Sequence, residues 1–298
     1  MASIVPATRL NGHSMVGRLE RVLVCSPRTA GWDQAERAGR WQELGFLQPP
    51  EAAKAQSQHD ALCTELVEAG AEVLELLPAP DLTLDAVYVH DASLATDFGL
   101  IVMRPAKVNR VPEGACQRSF CEAAGIPTLA SVVSPGTCEA GDMLWLDART
   151  LLIGRGYRTN AEGIRQMRDV LAAHEVEVLA APLPHGPGPA ACLHLMSLLS
   201  LLDEQTALVD LPWLAVETVE LLQARGYGFI EIDSSERPTL ACNVLSLGNG
   251  RVLAIEENRR TNHKLRAAGF EVRTFSGSEL CINGSGGPTC LTRPLRRG

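Results

Sequence analysis

One phrase recurs along the chain: two short apolar runs, a stretch with helical spacing, and another short apolar run, returning about every 45–50 residues. AVYVHDASLATDFGLIVMRP holds two runs joined at Asp97-Phe98-Gly99, and a helical stretch and a short strand near Pro127–Val133 follow. GDMLWLDARTLLIG repeats the hairpin, and TNAEGIRQMRDVLAAHEVEVLAAPL supplies its helix and strand. ACNVLSLGNGRVLAIEE turns at Gly248-Asn249-Gly250 and leads into NRRTNHKLRAAGF and EVRTFSGSEL. Such a unit buries its apolar face against its neighbours, so the expected fold is an α/β ring of roughly five modules, each about ββαβ. The competing reading is one α/β sheet with mixed connections.

No linker rich in Pro, Ser and Gly divides the 298 residues, so they read as a single domain, 1–298, with residues 1–16 as a flexible tail. The longest irregular stretch runs from Arg28 to Pro50 and carries Gly31, Gly39 and Gly45, a composition that suits a lid. With 46% hydrophobic residues but only 4% aromatic, the core is built from Leu, Val, Ile and Ala. A net charge of −8 offers no basic footprint for nucleic acid or an anionic membrane. It suits a cationic small molecule. No run is long and apolar enough for a transmembrane helix or a secretory signal. Nine cysteines without repeating spacing point to reduced thiols and a cytoplasmic chain, and a homodimer is compatible with all of this.

The segment CINGSGGPTCLTRP brings glycines close to Cys290, where backbone N–H groups can stabilise a thiolate. A nucleophilic cysteine needs a base and an orienting acid. Of seven histidines, His13, His59, His174 and His263 lie in polar or helical surroundings and read as surface residues, and the prolines and glycines around His185 account for it. His194 opens the apolar run CLHLMSLLSLLD, where a buried strand is expected. Asp91 in VYVHDASLA, and Glu139 and Asp142 in CEAGDMLWL, are acids in apolar company, unfavourable to bury unless they meet a cation. Asp91 is suited to receive a guanidinium through two parallel hydrogen bonds, whereas Asp142 reads equally as a turn-former. No His/Asp cluster offers a metal site, and no cofactor is called for.

Taken in order, Asp91, Glu139-Ala140-Gly141-Asp142, His194, Asn243 in ACNVLSL and Cys290 in GSGGPTCLT resemble the guanidine-modifying superfamily, which includes arginine deiminase, the amidinotransferases and dimethylarginine dimethylaminohydrolase. The resemblance runs from about Leu19 to the end and implies a five-module pseudo-symmetric α/β propeller, in agreement with the repeat. AVYVHDASLATDFGLIVMRP, EAGDMLWLDARTLLIGRGYRTNAEG and LHLMS are most similar to the dimethylarginine dimethylaminohydrolases. That resemblance implies hydrolysis of an N-methylated arginine to citrulline and an amine. Cys290 would be the nucleophile, His194 the acid and base, and Glu139 its orienting carboxylate. Asp91 would hold the guanidinium, and Arg104 in VMRP and Arg158 in YRTN would grip the substrate carboxylate.

Two places depart from that pattern. His90 stands beside Asp91, at the substrate, where the hydrolase branch has an acid. Met196 stands where deiminases and many amidinotransferases have a second aspartate, while GGPTCLT is nearer to their ending. Amidino transfer, arginine deimination and non-catalytic arginine binding are the alternatives.

Overall fold

The computed structural model describes residues 10–298, and the repeat appears in it as five three-stranded sheets. In chain order the strands are β1 (Leu19–Val24), β2 (Glu72–Glu75), β3 (Ser93–Thr96), β4 (Gly99–Val102), β5 (Thr128–Ser131), β6 (Met143–Asp147), β7 (Thr150–Arg155) and β8 (Glu177–Pro182). They continue with β9 (Leu199–Leu201), β10 (Thr206–Val209), β11 (Gly228–Glu231), β12 (Leu245–Gly248), β13 (Arg251–Ile255), β14 (Glu271–Phe275) and β15 (Arg293–Arg297). Four sheets are consecutive triples: β3-β4-β5, β6-β7-β8, β11-β10-β9 and β12-β13-β14. The fifth, β15-β1-β2, joins the two ends of the described chain. In every sheet the middle strand runs antiparallel to one neighbour and parallel to the other: in four sheets a hairpin precedes it, in the fifth β15 takes the antiparallel place beside β1, and in all five helical structure separates it from its parallel neighbour. The expected ring of five ββαβ modules is therefore present, closed by β15 on β1.

Local chemistry explains the elements. The hairpin from β12 to β13 turns at Gly248, Asn249 and Gly250, all with positive φ (87°, 57° and 72°), as a tight hairpin requires. The helix Ala161–Ala172 starts where Asn160 Oδ1 accepts from Gly163 N at 2.8 Å, and it buries Ile164, Met167 and Leu171 along one face.

Sequence and structure part in three places. The stretch read as a strand before β3 is two 3₁₀ turns, Leu84–Val87 and Val89–Ala92. The irregular stretch after Arg28 contains single helical turns, Pro27–Ala30, Ala35–Ala38 and Trp41–Leu44. It is pinned by Trp32 Nε1 to Leu84 O at 3.1 Å and by Leu47 N to Asn283 O at 2.9 Å.

The third concerns histidines and the tail. His13 and His59 are buried, not on the surface. His59 shares the inward stripe of helix Ala52–Glu68 with Ala55, Leu62 and Leu66. His13 stacks on Trp145 at 3.9 Å, with Nδ1 at 2.9 Å from Ala148 O and Nε2 accepting from Asp97 N at 2.9 Å. Residues 10–16 are thus packed across two modules rather than forming a flexible tail. Residues 1–9 of that expected tail lie outside the described residues.

Candidate active site

Each module presents its chemistry at the same place, the turn entering the sheet's outermost hairpin strand. Asp91 precedes β3, Glu139 and Asp142 precede β6, His194 precedes β9, Asn243 precedes β12 and Cys290 precedes β15. Three of these turns are short 3₁₀ helices, Val89–Ala92, Ala140–Asp142 and Leu195–Ser197. His194 is therefore the N-cap of a turn and not a strand residue.

Side chains stitch the turns together around the axis. Asp91 Oδ1 accepts from Gly141 N at 3.0 Å, Asp142 Oδ1 from Leu195 N at 2.9 Å, and Asn243 Oδ1 from Thr289 N at 3.0 Å. His90 N donates to Cys290 O at 3.1 Å and joins the first and second modules. Each of the four satisfies a buried backbone N–H, and the first three also fix a neighbouring module's polar side chain.

The result is a compact buried cluster. His194 Nε2 lies 2.7 Å from Glu139 Oε2, and its Nδ1 lies 3.9 Å from Asp91 Oδ1. Glu139 also accepts from Ala106 N at 3.0 Å and stands 3.3 Å from Arg158 Nη1. Asn243 Nδ2 donates to Cys290 Sγ at 3.0 Å. Glycines in the Cys290 loop work by close approach: a Cβ at Gly284 or Gly286 would run into the Tyr88 ring, and one at Gly287 would lie 2.7 Å from Asn243 Oδ1. The thiol's donor is thus an amide side chain held by this packing, rather than the expected backbone N–H groups.

Electrostatics sort the protonation states. Burial disfavours the imidazolium of His194, but Asp91, Cys192 and Asp142 together hold its pKa well above the usual range. Burial likewise opposes ionisation of Asp91, yet the His194 and Arg110 charges keep it below the usual carboxylate range. Burial also opposes ionisation of Glu139, but the His194 hydrogen bond, the His194 charge and Arg158 together keep it below its ordinary value. Burial, Asp91 and Cys192 push the Cys290 thiol up to about 12 against the pull of His194 and Asn243. The resting cluster is a neutral thiol beside an imidazolium and two carboxylates.

The other expected residues sit differently. Arg158 is buried and rests on Glu139. Arg104 is half-buried, and its side chain reaches Gly136 O at 3.4 Å. His90 is buried with Nδ1 2.7 Å from Thr292 O, and burial lowers it to about 3, so it is a neutral clamp on the Cys290 turn. Sequence reasoning missed Arg110. Its Nη1 donates to Asp91 Oδ2 at 2.6 Å while Nε and Nη2 bind Glu113, both at 2.9 Å. The signal was an Arg-x-x-Glu pair at the start of the helix Val111–Ala123. Cys192 was missed as well: its Sγ lies 3.8 Å from His194 Nδ1, and the residue is exposed. Asp91, Glu139 and His194 present ligand atoms within 4.8 Å of one another. This departs from the expectation that no His/Asp cluster offers a metal site, although the guanidinium groups of Arg110 and Arg158 already rest on the two carboxylates.

Comparison with known proteins points the same way. The family model described as arginine deiminase matches residues 84–226 and 213–297. The N(G),N(G)-dimethylarginine dimethylaminohydrolase of Pseudomonas aeruginosa is 29% identical over 246 residues, covering 83% of this chain and 90% of that protein. The structure of that organism's enzyme as a cysteine-to-serine mutant complexed with citrulline superposes with a TM-score of 0.73 at 26% identity, covering 93% and 99% of the two chains. The N-terminal domain of ArgZ, an arginine dihydrolase from Cyanobacteria, shares the fold with a TM-score of 0.78 at 22% identity, over 93% and 98%. The chain belongs to the arginine deiminase family, within the guanidine-modifying superfamily.

Proposed function

We propose that the chain is a cysteine-dependent hydrolase of N-methylated arginine, releasing citrulline and a methylated amine. The observation that carries this reading is the convergence of His194, fixed through Nε2 by Glu139 at 2.7 Å, on Asp91, beside the Cys290 turn. Asp91 keeps acceptor capacity beyond Arg110 and Gly141, because each carboxylate oxygen has two lone pairs. A substrate guanidinium bound there adds a positive charge near Cys290 and favours loss of its proton to solvent, since His194 is already protonated. The thiolate attacks the guanidinium carbon, His194 gives its proton to the departing amine, and an amidino-thioether remains on Cys290. The now neutral His194 takes a proton from water, which attacks the same carbon and expels the thiolate with citrulline. Glu139 orients the imidazole and favours its charged form. Arg158, its Nη1 3.3 Å from Glu139, is the inner candidate to grip a substrate carboxylate. Arg104 is the outer candidate, and His90 positions the nucleophile's turn beside the bound substrate.

The test is citrulline formation from arginine, monomethylarginine and asymmetric dimethylarginine offered side by side. Turnover of the methylated forms is the expected result, and Cys290→Ser should lower it at least about 1,000-fold, with His194→Gln losing about 100- to 10,000-fold. Undiminished turnover by Cys290→Ser removes the mechanism. Release of ammonia from arginine alone would favour the deiminase reading, which the ending GGPTCLT supports. Amidino-product from an added amine would favour transfer, and tight arginine binding with an inert Cys290 would favour a binding protein. The free cysteines support a reducing, cytoplasmic setting. The assembly read for the chain is a homodimer, which light scattering decides.

A further inference from the structure

Arg110 has no place in the expected site, yet it touches the acid proposed to receive the substrate. Its Nη1 donates to Asp91 Oδ2 at 2.6 Å, one of four hydrogen bonds from the same guanidinium. Nε and Nη2 hold the two oxygens of Glu113, both at 2.9 Å, and Nη2 also reaches Tyr88 O at 2.8 Å. Arg110 and Glu113 are 4% and 2% exposed, so water screens neither charge. The side chain belongs to Glu113 through a two-pronged pair and lends Asp91 a single bond.

Three acids act on Arg110: Glu113, Asp91 and Asp85. Asp85 has its own cation in Lys107 at 3.5 Å and accepts from Asn109 Nδ2 at 3.0 Å. Glu113 is matched by the paired bonds from Arg110. Asp91 has only shared cations: Arg110 is matched by Glu113, and His194, 3.9 Å away, by Glu139. Its negative charge is therefore open to an incoming cation. Were Glu113 uncharged, Arg110 would turn its full charge on Asp91 and repel a second guanidinium bound there. In a dry site, like charges a few ångströms apart weaken binding strongly.

We propose that Arg110 and Glu113 form a neutral clamp for the guanidinium subsite: Arg110 fixes the orientation of Asp91, and Glu113 cancels the charge that Arg110 would otherwise set against the substrate. Both are positioning residues that act through Asp91 rather than on the substrate itself. The clamp rests on the reading of Asp91 as guanidinium acceptor, and it adds that affinity is governed by a carboxylate one residue removed from contact.

The test is calorimetric titration of L-arginine and asymmetric dimethylarginine into the full chain carrying Cys290→Ser, where no turnover intervenes. Burial pushes Glu113 up to about 7 against the pull of Arg110, so the titrations are run at pH 8, where it is ionised. Glu113→Gln should weaken binding about 10- to 100-fold with an unchanged circular dichroism spectrum. Removing the cation as well, with Arg110→Met added to Glu113→Gln, should restore most of that loss. A merely structural pair predicts the reverse order, the double variant binding worse than the single one, and that result would overturn the proposal. Parent-like affinity in Glu113→Gln would overturn it too. Should either variant fail to fold, Arg110→Lys decides: an ammonium cannot serve both acids as the planar fork does, so binding should weaken about 10-fold, and unchanged affinity sinks the clamp. No binding by the parent chain removes the guanidinium reading and the clamp with it, whereas binding without citrulline formation in the active chain removes the hydrolase reading alone.

Discussion

The cysteine that touches His194 in this structure is Cys192, and it differs from Cys290 in its surroundings. Cys192 keeps surface exposed to solvent, yet the side chains around its thiol strip water from it, which would raise it; the His194 charge, the contact with His194 and then Arg158 outweigh this and bring it below its ordinary value, while Cys290 stands at about 12. Iodoacetamide at pH 7 without ligand should therefore label Cys192 before Cys290, with peptide mass spectrometry reading the order. Prior reaction at Cys290 would show that the resting thiol is already ionised. Asp142 gives a second prediction at this scale. Burial raises it from 3.8 to about 6 against the pull of the His194 charge and of its hydrogen bonds with Thr159 and Leu195. A carboxyl with a raised folded pKa adds stability that is fully present below about pH 4 and lost as pH climbs through 6. The unfolding free energy of Asp142→Asn relative to wild type should thus rise by up to about 3 kcal/mol across that window and then level off. Denaturant titrations at pH 4 and pH 7 check it; a constant difference would place the carboxyl's proton elsewhere.

At the scale of elements, the turns before the strands hold the site, and they were the hardest part to read. Apolar residues around Asp91 and His194 look like buried strand, because 3₁₀ turns at the centre of a ring are as dry as a strand interior. The two hairpin turns at Asp97–Gly99 and Gly248–Gly250 were legible, since their residue types dictate the backbone. His59 was misread because its neighbours in sequence are polar while its neighbours along the helical stripe are not. Cys290, His194, Glu139 and Asp91, the residues of the proposed site, were singled out through the order of their motifs. The contacts of Arg110 and Cys192 depend on distances across modules, which spacing in one chain does not disclose. The glycine loop offers a direct test of turn geometry. Gly287→Ala would press its Cβ on Asn243, shifting the amide that donates to Cys290, and should cost about 1–3 kcal/mol together with a loss of turnover. Unchanged stability and turnover would mean the loop has room to relax.

For the whole molecule, the period of the apolar pattern was enough to expect a ring, because a repeated unit has to cover its neighbour's exposed face. What the period could not tell is which strand shuts the ring. β15 does so by pairing with β1, in a register broken at two points between Leu19 and Val22. That strand follows directly from Cys290 and carries Leu295, only 1% exposed, into the core it shares with Leu19 and Leu23.

The five turns also decide what a damaged molecule can do. Acid, imidazole, amide and thiol each enter from a different module, so no fragment left by a protease and no half-folded chain carries more than part of the reaction centre. An incomplete ring is silent rather than indiscriminate. Its cysteine, deprived of Asn243, His194 and Asp91, is an ordinary thiol and no hazard to the free arginine around it.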